Sequence, residues 1–221
     1  MRRLTLACVS WLIALSGFAT EANDWVVEQQ PGGTVRFNED GLTIDDTGGC
    51  TVWYKPKLRA PVAIRYEARV LSSGRVSDLN CFWMASDPVR ADFFAADTGR
   101  NGKFATYDSL RTYYVGYGGN ENTTTRFRRY DGSGARPLLP EHDLRAPQFL
   151  LKPDHWYAIE ITASEDGYVT YERDREVILR YHDPAPLRDG WFGFRTVHSR
   201  IEIRNFHFLT DPSYLTFSTA R

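Results

Sequence analysis

Apolar and polar positions alternate with a period of two through most of this chain, the mark of strands whose successive side chains face opposite ways. The cleanest run sets Val62, Ile64, Tyr66, Ala68 and Val70 on one face against Arg65, Glu67 and Arg69 on the other. Before it, Trp25 to Gln29, Thr34 to Phe37, Leu42 to Asp45 and Thr51 to Tyr54 read as short strands, divided by Pro31-Gly32-Gly33 and Asn38-Glu39-Asp40-Gly41 and stopped by Pro56. Val76 to Met84 puts Leu79, Cys81 and Trp83 on one side and Asp78, Asn80 and Phe82 on the other. Trp156 to Thr162, Tyr168 to Glu172 and Val177 to Tyr181 form a meander, and Trp191 to Thr196 and Ile201 to Leu209 close the chain. Ile201 and Ile203 fall out of phase with Phe206 and Phe208, which predicts a bulge near Arg204-Asn205. No helix longer than a turn or two is expected. The sum is an all-β domain, a two-sheet antiparallel sandwich of the jelly-roll kind.

Two stretches stand out. Thr112 to Tyr117 and Thr123 to Tyr130 flank Gly118-Gly119-Asn120-Glu121-Asn122, residues that tolerate positive φ, so the segment predicts a hairpin. If Val115 and Phe127 face the core, then Tyr114, Gly116, Arg126, Arg128 and Tyr130 share the opposite face, and Asp78 and Asn80 look across the same surface. Arginine forks match carboxylates and aromatic rings stack on sugars, so this face suits an anionic carbohydrate; it equally suits an ordinary solvated strand. Asp87 to Leu110 has no sustained period, and a connection that long reads as a functional loop or lid. Its Phe93-Phe94 pair is expected to pack on the sandwich edge or close over a ligand.

Composition narrows the setting. Arg2-Arg3, the apolar run Leu4 to Ala19 and the small residues after it predict a signal peptide over residues 1–22, an exported product that is periplasmic or extracellular, and a single domain over 23–221. Beyond the signal no apolar run approaches the roughly 20 residues of a membrane span. The net charge of −1 gives no reason to expect nucleic acid, while 14% aromatic residues fit sugar-stacking surfaces. Cys50 and Cys81 either pair, which would be worth roughly 3 kcal/mol, or stay buried as thiols. No cofactor is expected: Asp78, Asp87 and Asp97 match no familiar calcium loop. Asn122-Thr123-Thr124 has the glycosylation pattern but sits at a turn, where Asn and Thr are expected anyway.

The closing stretches HWYAIEITASEDGYVTYERDREVILRYHDP and GWFGFRTVHSRIEIRNFHF resemble the end of concanavalin A-like jelly rolls in exported bacterial proteins of carbohydrate degradation. With LNCFWMASDP and TYYVGYGGNENTTTRFRRY, the chain resembles an exported family of that superfamily. That family is related to small jelly rolls of rhamnogalacturonan-utilisation clusters and distantly to the 3-keto-disaccharide hydrolase domain. The resemblance implies a concave sheet face that holds an oligo- or polysaccharide, without choosing the chemistry.

A glycoside hydrolase needs two carboxylates about 5 to 9 Å apart. The Glu-x-Asp-x-x-Glu strand of laminarinase-like jelly rolls is absent, and Glu160 and Glu172 read as outward strand residues. A polysaccharide lyase needs a group to neutralise the uronate, a base and an acid. Arg126, Arg128 and Asn80 suit the first role and Tyr114 the proton transfers, with Tyr117 or Tyr130 as substitutes and His142 or His198 as alternative bases. The Gln-x-His element of jelly-roll alginate lyases is missing. Uronate elimination at Tyr114, Arg126, Arg128 and His142 is thus the leading expectation, with Asp78, Asn80, Tyr117, Tyr130 and His198 binding substrate. A non-catalytic carbohydrate-binding module, using the same face, is the alternative, followed by a hydrolase with an atypical carboxylate pair.

Overall fold

The computed structural model describes residues 22–39 and 41–210; residues 1–21, which hold nearly all of the expected signal peptide, lie outside them. The strands are β1 (Trp25–Gln29), β2 (Thr34–Asn38), β3 (Gly41–Asp45), β4 (Cys50–Arg59), β5 (Val62–Val70), β6 (Asn80–Ser86) and β7 (Arg111–Gly118). They continue with β8 (Thr124–Asp131), β9 (Asp143–Leu144), β10 (Tyr157–Ala163), β11 (Tyr168–Arg173), β12 (Glu176–His182), β13 (Asp189–Thr196) and β14 (Arg200–Leu209). They form two antiparallel seven-stranded sheets, ordered β1-β4-β13-β6-β7-β8-β9 and β12-β11-β10-β5-β14-β3-β2. The chain is therefore a jelly-roll β-sandwich.

Alternation decides what lies between the sheets. Val62, Ile64, Tyr66, Ala68 and Val70 of β5 meet Cys81, Trp83, Val115 and Phe194 of the first sheet in one buried core. The charged half of β5 faces out from the second sheet, where Arg69 pairs with Glu202 at 2.6 Å, Arg204 with Glu67 at 2.5 Å and Arg65 with Glu160. Such cross-strand pairs are the sheet's counterpart of helical i,i+4 pairs. Glu160 and Glu172 are accordingly wall residues of the second sheet.

One strand boundary differs from the sequence reading, and one expected irregularity is present. β4 runs through Pro56 to Arg59 because β1 pairs only as far as Tyr54 and the β13 ladder skips a step between Gly190 and Phe192. Pro56 thus falls where no ladder needs its missing N–H. At β14 the register shifts between Arg204 and His207, with Asn205 at φ 56°, which is the bulge that the phase break predicts.

Cys50 and Cys81 are both free and buried. They sit on β4 and β6 with β13 between them, Cys50 opposite Thr196 and Cys81 opposite Phe194. Two inter-strand steps of about 4.8 Å exceed the roughly 7 Å that a disulfide spans between Cα atoms, so the pairing alternative is excluded. The sequon asparagine ties its turn to a neighbouring segment, since Asn122 Nδ2 donates to Leu151 O at 2.9 Å and its Oδ1 accepts from Leu151 N at 2.8 Å.

Candidate ligand-binding cleft

The outward face of the first sheet is divided in two. Over β4, β13 and β6 it carries Trp53 and Phe82, stacked at 5.4 Å, and these are roofed by Phe93, Tyr107 and Leu110 from the long segment after β6. The segment is fastened throughout. Arg100 Nε donates to Glu28 Oε1 at 3.0 Å and Arg100 Nη2 to Phe93 O, and Phe93 stacks on Trp191 at 4.5 Å. Gly49 and Gly102 meet backbone to backbone, each so close that a Cβ would fall within 2.4 Å of the other's carbonyl oxygen. The expected lid is thus a fixed wall of the sheet face, and Phe93 packs on the sheet.

The uncovered half is a cleft of about 390 Å³. Its floor follows from strand register. Arg195 of β13 lies directly opposite Asn80 of β6, and the register that opposes Cys81 to Val115 sets Asn80 beside Gly116 of β7. Gly116 in turn opposes Arg126 of β8, and two residues along the strands, on the same face, Tyr114 opposes Arg128. The glycine leaves a gap in this row: a Cβ there would stand 3.1 Å from the Tyr114 hydroxyl. Phe104, from the fixed wall, lies tilted beside Tyr114 with the ring centres 5.3 Å apart and lines the cleft on that side.

Five arginines line this cleft against a single carboxylate among its described residues, Asp78, and no histidine does. Asp78 has a left-handed backbone, φ 58°, and is heavily engaged. Its Oδ2 accepts from Arg75 at 2.7 Å and Ser77 Oγ at 2.7 Å, and its Oδ1 from Asn80 Nδ2 at 3.2 Å. Arg126 is forked onto Asp143 and Arg136 onto Asp108. Arg195 and Arg128 differ. Arg195, only 2% exposed, donates to Thr51 Oγ1 at 3.0 Å and Gly102 O at 2.8 Å and lies over the Phe104 and Tyr107 rings. Arg128 donates to Arg136 O at 2.6 Å and Pro137 O at 3.1 Å. Neither makes an ion pair with any described carboxylate. Beside Arg195, the buried Asn80 Oδ1 has no hydrogen-bond partner among the described residues.

Tyr114 is buried in this floor, and loss of solvation raises its phenol pKa well above the ordinary value, although the Arg195 charge pulls it down. It is therefore a hydrogen-bond donor in the neutral form and a poor base.

Of the sequence-predicted residues, the structure brings together Tyr114, Arg126, Arg128, Asp78 and Asn80. Tyr117 shares the phase of Val115 and lies in the core between the sheets, its hydroxyl accepting from Arg173 at 3.2 Å. Tyr130 faces outward but is 1% exposed beneath the aromatic cluster. His142 is buried against Phe127 and Tyr181, its Nε2 3.1 Å from Arg180 O, on the far side of β8 from the cleft. His198 is exposed in the turn after β13, at φ 52°, and does not line the cleft. These four belong to packing and turns. Sequence reasoning missed Arg75, Arg136, Phe104 and Arg195. The last was within reach: in Trp191 to Arg195, inward Phe192 and Phe194 put Trp191, Gly193 and Arg195 outward.

The fold and site define a jelly roll with an arginine-lined cleft on the outward face of its first sheet. The chain belongs to the family described as Domain of unknown function (DUF6250), which matches it over residues 44–206. No curated protein matches the sequence. Among solved structures, a protein of unknown function with a galectin-like fold from Bacillus subtilis is similar with TM-score 0.64 and 19% identity, over 85% of this chain and 90% of that one. Carbohydrate binding module CBM66 from Bacillus subtilis gives TM-score 0.58 at 11% identity, covering 84% of this chain and 95% of its own. The exoplasmic/lumenal domain of VIP36, in a form bound to Ca2+ and Man3GlcNAc, gives 0.56 at 12%, over 90% and 91%. At these identities the likeness is one of fold.

Proposed function

We propose that this protein binds an acidic carbohydrate in the concave cleft and holds it without breaking it. The observation that carries the reading is Arg195: a buried guanidinium, unpaired with any described carboxylate, on the floor of an open cleft. A buried charge is costly unless an opposite charge meets it, so an anionic ligand is the fitting partner. Asn80 Oδ1 offers an acceptor for a sugar hydroxyl next to it, and Phe104 and Tyr114 offer apolar ring surface. Similar solved structures include a carbohydrate-binding module and a glycan-bound lumenal domain, which agrees with the choice of ligand.

Uronate elimination finds its neutralising arginines here but not its base. Tyr114 is held protonated by burial, Asp78 is saturated by Arg75, Ser77 and Asn80, and His142 and His198 lie elsewhere. A hydrolase lacks a second carboxylate among the described cleft residues, since Glu160 and Glu172 stand on the other sheet. No described helix is long and apolar enough to cross a membrane. With the leader-like Arg2 to Ala19 stretch, the reading includes export. The resemblance to small jelly rolls of rhamnogalacturonan-utilisation clusters makes pectin-derived acids the first ligands to try.

The test is titration calorimetry with acidic oligosaccharides and their neutral counterparts, followed by ultraviolet absorbance of a C4–C5 double bond and an assay for new reducing ends. Saturable binding of acidic sugars only, weakened by salt and without turnover, is the expected result. A growing double-bond signal would replace the binding reading with elimination.

A further inference from the structure

The two cations that lack carboxylates are held at opposite walls of the cleft. Arg195 is on β13 and Arg128 on β8, three inter-strand steps of about 4.8 Å apart. Each is anchored through its own Nη1. Arg195 Nη1 donates to Thr51, its partner on β4, and to Gly102 in the fixed wall. Arg128 Nη1 is bound to the carbonyls of Arg136 and Pro137, in the connection that leaves β8. Between them the floor is uncharged: the free acceptor Asn80 Oδ1, the gap at Gly116 and the phenol of Tyr114. The other cleft arginines are each ion-paired, Arg75 with Asp78, Arg136 with Asp108 and Arg126 with Asp143, which also takes Arg145 from outside the cleft, so the guanidinium groups without a carboxylate stand at two poles.

Resting on the acidic-carbohydrate reading, we infer that the ligand is an oligosaccharide with two anionic groups on non-adjacent positions, one meeting Arg195 and the other Arg128, with a sugar ring seated over Gly116. A single acidic sugar satisfies one pole and leaves the other to water. The site is thereby selective for chain length and charge spacing, not for acidity alone.

The experiment is calorimetry of the full protein with uronate oligomers of one to four sugars, in galacturonate, guluronate, mannuronate and glucuronate series. Affinity is expected to rise steeply once the oligomer carries two carboxylates far enough apart to reach both poles, and then to level off. Arg128→Gln should weaken the longer oligomers roughly tenfold to a hundredfold, the worth of a charge-assisted contact, and reduce the salt dependence of their binding. Because Arg195 is buried, Arg195→Lys is paired with Arg195→Gln and both are checked by thermal melting; wild-type length dependence stands apart from either. A monomer that binds as tightly as the tetramer, or Arg128→Gln without effect on the tetramer, overturns the two-pole inference while leaving acidic-sugar binding intact. Absence of binding at every length in every series overturns both.

Discussion

At the scale of single residues, neighbours in sequence have opposite fates. Gly116 and Tyr117 are adjacent, yet one forms the cleft floor and the other the core. Gly116→Val would put a branched side chain against the Tyr114 hydroxyl, already 3.1 Å from a bare Cβ, and fill the gap where a ring sits. The expected outcome is loss of ligand binding with the fold retained, because β-branched residues suit strands. Near-identical circular dichroism with no calorimetric heat would show it; unchanged affinity would remove Gly116 from the site. Tyr117→Phe should do the reverse. Its hydroxyl accepts from Arg173 Nη1 in a buried setting, so deletion costs about 1 to 3 kcal/mol of stability while ligand affinity stays constant. A change in affinity there would contradict the core placement.

At the scale of elements, the rim of the cleft depends on an ion pair that ties a two-residue strand to its neighbour. β9 pairs with β8 through Thr125 and Arg126, and Arg126 forks onto Asp143. The hydrogen bond from Arg126 is the main cause that lowers the Asp143 pKa, with burial opposing it. A carboxylate with a depressed folded pKa stabilises fully above its unfolded pKa of about 3.9 and loses that contribution as pH falls through the folded value. Wild type should therefore be more stable than Asp143→Asn at neutral pH, with the gap shrinking below about pH 4. Urea unfolding at a series of pH values measures it, and a gap that is still full at the acid end would show that the pair contributes nothing by ionisation.

The same elements show what the sequence could and could not reveal. Alternation alone set Tyr114, Gly116, Arg126 and Arg128 on one face and brought Asp78 and Asn80 alongside, since those positions lie within or beside regular strands. Tyr117 was assigned to the site against its own phase. Arg75 and Arg136 come from irregular connections, where no period points a side chain, and their place depends on Asp78 and Asp108. The outward phase of Arg195 was legible between Phe192 and Phe194, but not the pairing of β13 with β6 that sets it opposite Asn80. His142 looked reactive in isolation, but the rings of Phe127 and Tyr181 that enclose it are distant in sequence.

At the scale of the whole molecule, sheet order decides the redox chemistry. Two cysteines in one sandwich invite a disulfide, yet β13 stands between β4 and β6 and keeps Cys50 and Cys81 two strands apart. Rearranging to join them would mean expelling the strand that carries Phe192, Phe194 and Arg195, and with it both the core and the cleft floor. Burial also makes each thiol inert: loss of solvation raises Cys81 to about 12 and lifts Cys50 further from its ordinary range. Over residues 22–210, thiol titration should thus find no reactive cysteine in the native protein and two after denaturation, whether or not reductant was present during purification. Ligand binding should be indifferent to oxidants for the same reason. Recovery of no thiol after denaturation would mean that the two had joined, and a sheet that allows this cannot have β13 between β4 and β6. The titration therefore tests the strand order on which Arg195 and Asn80 are neighbours, and so the cleft itself.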